Sequence, residues 1–227
     1  MLKTIIFITI AILLVGCGSR IDSMARTIDY AIFGEDDVEL TAEEIEELAY
    51  PYQYLTIGEQ PRIAVALGFD DDGIYKWLSG NQEILTTYNG RVINTQGLGN
   101  GLTHVTNLGS DPLSCILNQA EDCQLSWTAS AQFGRSHAAN VQQVKTTFQH
   151  QGSKQLLLAS GQTVQVEHWQ EAMVSDSKRW TNDFWISTEN RRVVKSEQKW
   201  SVEQPFYRLE ELKAYGKELT DSGANNE

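Results

Sequence analysis

The chain is predicted to be mainly β, a large antiparallel meander curled into a half-barrel or open barrel. Three observations carry this. From Tyr52 onward apolar and polar residues alternate with a period of two. The alternating runs are short and bounded by Gly, Pro, Asn or Asp. The only helical patterns lie before Pro51 and around Pro112. A helix period of 3.6 and a strand period of 2 cannot be satisfied by the same apolar positions, so the switch of period marks the switch of structure.

The first segment is a processing signal rather than part of the fold. An apolar run from Ile5 to Val15 follows Lys3 and ends in Leu14-Val15-Gly16-Cys17. It is too brief to cross about 30 Å of hydrocarbon as a helix. A small residue before a cysteine is the pattern of a bacterial lipoprotein signal, in which residues 1–16 are removed and Cys17 becomes the lipidated first residue. Acyl chains contribute about 0.8 kcal/mol per buried CH₂, and two or more give stable anchoring. By the bacterial sorting pattern, Gly18 after the cysteine points to the outer membrane, and the periplasmic face is expected.

Residues 17–50 are then a lipidated N-terminus with helical character. Ile21, Met24, Ile28 and Ile32 recur on one helical face. Thr41-Ala42-Glu43-Glu44 has the form of a capping box, and Pro51 stops the helix it starts. Its carboxylates suit a first helical turn better than a metal site.

The β domain is expected over residues 51–218, with strands at 52–57, 62–67, 74–78, 86–88, 91–93, 102–107, 125–133, 142–150, 154–160, 163–174, 179–187, 191–202 and 206–213. Asn89-Gly90 tolerates the positive φ angles of a type I′ hairpin turn. Asp70-Asp71-Asp72-Gly73 lacks the spaced ligands of a calcium loop and reads as another hairpin turn. One helix interrupts the strands: Asp111 or Ser110 caps it, Pro112 suits its first position, and Leu113, Ile116 and Leu117 form its apolar face. Residues 219–227 are polar and expected to be disordered.

Composition narrows the function classes. The precursor has 18 basic and 30 acidic residues for a net charge of −12, and loss of Lys3 makes the mature charge −13. Nucleic acid is therefore excluded as a main partner. Electrostatic capture of an acidic polysaccharide would require a local basic patch. Of three cysteines, Cys17 takes the lipid, leaving Cys115 and Cys123 as a candidate disulfide in an oxidising compartment. Two buried thiols are the alternative.

No enzyme motif is selected. His104, His137, His150 and His168 are scattered, without metal-ligand spacing, so no metal and no cofactor beyond the covalent lipid is expected. His168, on a strand beside Trp169, reads as a packed or edge residue. Most of the six tryptophans should fill the concave side of the sheet. Trp180, Asp183 and Trp185 are taken to share one face of a strand and form the candidate glycan- or partner-binding cluster, with Arg179 or Arg191 as neighbours.

Several segments together resemble the YjbF/GfcB lipoprotein family: Tyr54-Leu55, Arg62-Ile63 with Leu67-Gly68, Lys76-Trp77-Leu78-Ser79, Asn89-Gly90-Arg91, Val105-Thr106-Asn107 with Gly109, Asp111-Pro112-Leu113, and Trp180 with Phe184-Trp185. The resemblance spans most of the mature chain in order. It implies a non-catalytic outer-membrane lipoprotein supporting exopolysaccharide or group four capsule secretion, bound to the membrane by its lipid and working through polysaccharide or other envelope proteins. The Cys115–Cys123 pair, the Ser136-His137 neighbourhood and the polar tail depart from the family pattern. Two other readings stay open. One is a lipid or lipoprotein carrier similar to LolA/LolB, which needs an apolar concave face. The other is a periplasmic polysaccharide-modifying enzyme, which needs a cleft with converging carboxylates about 5–9 Å apart.

Overall fold

The computed structural model describes residues 37–98, 101–134 and 140–215. Cys17, its signal, the 21–33 helical pattern, Ser136-His137 and the 219–227 tail lie outside the described residues. Twelve strands form one antiparallel sheet: β1 (Tyr52–Ile57), β2 (Ile63–Asp71), β3 (Ile74–Leu78), β4 (Ile84–Tyr88), β5 (Arg91–Gln96), β6 (Leu102–Val105), β7 (Ser126–Phe133), β8 (Asn140–Leu157), β9 (Thr163–Ser175), β10 (Lys178–Ser187), β11 (Val193–Gln198) and β12 (Tyr207–Lys213). Their order is β5-β4-β3-β2-β1-β12-β11-β10-β9-β8-β7-β6. The meander thus closes β1 onto β12, and the terminal strands β5 and β6 approach each other. That seam is held by side chains: Asn94 Nδ2 donates to Thr103 O at 2.6 Å and Thr95 Oγ1 to Leu102 O at 3.3 Å. The sheet is a nearly closed barrel, so few ladder groups are left unpaired.

Local chemistry explains the elements. Asn89 and Gly90 have φ of 53° and 79°, the left-handed pair that a two-residue hairpin needs. At the β2–β3 turn Asp72 and Gly73 do the same, with the Gly73 amide donating to Asp70 Oδ1. The expected strands 142–150 and 154–160 are one strand, β8, because the register shift at Gly152 (φ 111°) bends the ladder without ending it. The expected strand 191–202 shrinks to β11, since Arg191 sits in the left-handed region at φ 53° and closes a turn.

Two short helices cover the sheet from opposite sides. Helix α1 (Ala42–Glu47) carries the full capping box between Thr41 and Glu44. Its Ile45, with Leu48, packs on Tyr52, Tyr54, Ala64 and Leu212 on the outer face. Helix α2 (Pro112–Leu117) is capped by Asp111, whose carboxylate accepts from the Leu113 amide, and has Pro at its start. Its Leu113 and Ile116 pack inside the barrel against Phe148, Phe184 and Ile186. A Cys115–Cys123 disulfide, with Cα atoms 5.7 Å apart, ties α2 to the chain leading into β7. The remaining interior is filled by Leu55, Val65, Trp77, Leu85, Val92, Trp127, Met173, Trp200 and Leu209.

Candidate functional site

The barrel has a charged centre. Arg91, the first residue after the Asn89-Gly90 turn, is fully buried and donates through Nε and Nη2 to Asp111 and through Nη1 and Nη2 to Glu171, at 2.5–3.0 Å. Asn182 Nδ2 adds a 3.0 Å bond to Glu171. The rings of Trp127, Phe148, Phe184 and Trp200 surround the guanidinium, 5.2–5.7 Å from its carbon. Burial alone would lower the Arg91 pKa, but Asp111 and Glu171 more than offset it and hold it above the ordinary arginine value. Burial pushes the Asp111 carboxyl up, against the opposing pull of Arg91.

The β4–β5 hairpin reaches across this interior. Gln198 of β11 accepts from the Val92 amide and donates to Gly90 O, while Trp200 Nε1 donates to Val92 O. Groups that edge strand β5 would leave open are thereby satisfied. The result is a plug: a buried ion cluster, packed rings and a folded-in hairpin where a carrier would need space.

In a meander, the starts of odd strands and the ends of even strands share one end. At that mouth a cleft of about 310 Å³ opens between the starts of β1, β3 and β11, the end of β12, the Asn89-Gly90 turn and the end of α2. Its walls include Gln53, Tyr75, Trp77, Asn118, Arg191, Arg192, Lys195, Glu211, Lys213 and Tyr215. Arg191 bonds Glu167 at 3.1 Å and the Ile116 carbonyl at 2.9 Å. Burial would raise Glu167, but hydrogen bonds from Arg191 and Trp169 outweigh it and hold its carboxyl below the ordinary value. Arg192 bonds Glu211 and the Tyr215 carbonyl. Lys195 bonds Glu210 at 2.7 Å, and Lys213 Nζ donates to the Leu48 and Glu46 carbonyls at the end of α1. Tyr75 meets Tyr215 edge-on, centroids 5.5 Å apart. The described chain begins at the opposite end, where Asp37 and Val38 bond Arg62.

The expected cluster on β10 is divided. Trp180 pairs opposite Met173 in register, packs on the main core and donates to Lys199 O. Asp183 and Trp185 point to the other face, because residues three apart on a period-two strand face opposite ways, which corrects the assumption of a shared face. There Trp185 stacks on His168 at 4.9 Å, His168 Nε2 meets Asp183 Oδ1 at 2.7 Å, and Lys154 lies 5.5 Å over the indole. His168 is half-buried in this stack, as a packed residue. Arg191 lines the mouth cleft instead, and Arg179 is exposed. Among the described residues no three His, Cys, Asp or Glu side chains come together to hold a metal, and no helix is long and apolar enough to cross a membrane.

Sequence reasoning missed the Arg91–Asp111–Glu171 cluster and the mouth cleft. One signal for the first was available: Glu171 is a charge between Trp169 and Met173 at core-facing parity.

Comparisons with known proteins agree along most of the chain. A family model described as "Group 4 capsule polysaccharide lipoprotein gfcB, YjbF" matches residues 25–212. The curated Escherichia coli (strain K12) protein "Uncharacterized lipoprotein GfcB" is 32% identical over 199 residues, covering 87% of this chain and 92% of that one. "Uncharacterized lipoprotein YjbF" of the same organism is 29% identical over 191 residues, covering 84% and 88%. Among solved structures, the crystal structure of the hypothetical lipoprotein YmcC from Escherichia coli K12 superposes with a TM-score of 0.70 at 31% identity, over 78% of this chain and 90% of that chain.

Proposed function

The chain belongs to the group 4 capsule polysaccharide lipoprotein family of GfcB and YjbF, and from that membership we propose that it is a non-catalytic outer-membrane lipoprotein supporting exopolysaccharide or capsule secretion. Cys17 carries the lipid, the membrane is reached through that anchor, and the barrel binds glycan or an envelope partner. The observation that carries the reading is the filled interior together with the open mouth. A lipid carrier similar to LolA/LolB needs an apolar hollow, whereas this concave side holds an ion cluster and packed rings. A polysaccharide-modifying enzyme needs carboxylates converging on a substrate. Asp111 and Glu171 do converge, but on a buried guanidinium, at 3% and 0% exposure.

The test is deletion of the gene in a polysaccharide-producing host, with surface polysaccharide quantified. Deletion is expected to lower it, the wild-type gene to restore it, and Cys17→Ala to fail while moving the protein out of the membrane fraction. Unchanged polysaccharide after deletion sinks the proposal.

A further inference from the structure

We propose that the outer half of β8 is a docking edge for a second copy of this chain, the two copies pairing antiparallel about a two-fold axis at Gln155. The first observation is an open ladder. β8 runs from Asn140 to Leu157, but β7 pairs only with its first part, Asn140 to Thr147, and the Phe148 amide then donates to Leu125 O at 2.7 Å. Before Leu125 the chain leaves this edge for the disulfide-closed segment that leads back to α2. On its other side β8 stays paired with β9 as far as Leu157. The Leu158 amide donates to Gln162 O at 2.9 Å, so by alternation Leu156 and Lys154 turn their backbone groups to β9, while Ser153, Gln155 and Leu157 turn theirs away from it. Among the described residues no strand covers that edge, and all three residues are exposed. An uncovered row of N–H and C=O groups is a template for an added strand.

The second observation is charge, and it selects the occupant. Two molecules that each carry a net charge of −12 repel, and they repel least where neither presents an acid. From Gln124 to Val166 the sequence has no Asp or Glu, although the chain holds 30. β7, β8 and the start of β9 fall in that stretch. The acids nearest the open edge are Glu167, opposite Ser153, and Glu210, which accepts from the Ala159 amide. They are paired with Arg191 and Lys195. Two acidic copies can therefore approach each other here.

The third observation is register. A two-fold axis at Gln155 pairs all three open residues: Gln155 exchanges both backbone bonds with its counterpart, and Ser153 does so with the second copy's Leu157. The same axis sets Lys154 across from Leu156, so the one charge on the open stretch never faces itself. The register shift at Gly152 on one side and the Leu158–Gln162 turn on the other confine the pairing to this stretch. Each copy offers the same edge to the other, so the contact is isologous and closes at a dimer instead of growing into a fibre.

The experiment oxidises intact cells that produce the full chain with single added cysteines, and reads the products by non-reducing electrophoresis and mass spectrometry. Cα atoms of a hydrogen-bonded antiparallel pair lie about 5.5 Å apart, within disulfide reach, so Gln155→Cys is expected to give a homodimer. Ser153→Cys is not, because its two copies would stand roughly 13 Å apart along the strands; mixed with Leu157→Cys it should cross-link. Gln155→Pro removes an outward N–H and leaves the β9 ladder intact. In that background the mixed pair should lose about tenfold or more of its yield, as loss of the hydrogen bonds at the two-fold axis implies, with the melting curve unchanged. No homodimer from either Gln155→Cys or the mixed pair, Ser153→Cys joining to itself as readily as Gln155→Cys, a cross-linked product that holds a different protein, or a mixed-pair yield untouched by Gln155→Pro would each overturn the inference. The mixed pair keeps the test decisive if Gln155→Cys fails to fold. Polysaccharide has no part in this readout, so the dimer and the secretion role stand or fall separately.

Discussion

Arg91 is the residue on which most of the interior turns. Removing one member of a buried ion cluster leaves the others uncompensated, which costs about 3–5 kcal/mol. Arg91→Met is therefore expected to lower unfolding free energy by that order, measured by urea titration. Asp111 should behave differently. Its folded-state carboxyl takes up a proton at higher pH than in the unfolded chain. Its protonated form thus adds stability at acid pH, and that contribution is lost as pH rises through the folded-state value. Asp111→Asn keeps an acceptor for the Leu113 amide and should remove this pH dependence. Comparing urea midpoints of wild type and variant from about pH 4 to pH 8 checks the sign; a wild-type stability that instead grows with pH relative to the variant would contradict it. Arg91 and Asp111 are both visible in sequence, the first as the residue that follows a hairpin turn and the second as a helix cap. Their meeting with Glu171 is not, because 80 residues separate Arg91 from Glu171 and only the closed sheet brings β5 opposite β9.

At the scale of elements, the β4–β5 hairpin and α2 form the plug, and each has a single weak point. Gly90 has φ of +79° and an added Cβ would lie 2.5 Å from Val193 Cβ. Gly90→Ala therefore combines backbone strain with overpacking and should cost about 2 kcal/mol, seen as a lower urea midpoint. The Cys115–Cys123 bridge closes a short loop, worth about 2–3 kcal/mol in the chain-entropy account. Replacing both cysteines with serine should lower Tm by roughly 5–10 °C for a domain of this size, and reductant should do the same to the wild type and nothing to the variant. The strands themselves were legible: the 52–57, 74–78 and 163–174 runs reappear within a residue. Legibility failed where a backbone irregularity intervened. Gly152 reads as a break in sequence but is a bulge in a paired ladder.

For the whole molecule, one sheet and one shared interior make a cooperative unit. Trp127 and Trp200 sit beside Arg91 in the core, so their fluorescence should report the same urea transition as far-UV circular dichroism. Separated transitions would show that the two halves of the sheet, either side of the β1–β12 pairing, unfold independently. The β meander, its turns, both described helix starts and the family were all readable along the chain, since each of these rests on contacts between near neighbours or on linear patterns. That the barrel is plugged, and that Gln53, Arg191, Arg192 and Tyr215 share a mouth, emerges with sheet closure alone. Burial, register and sheet closure join residues far apart in the chain, and no local periodicity encodes which distant side chains will meet.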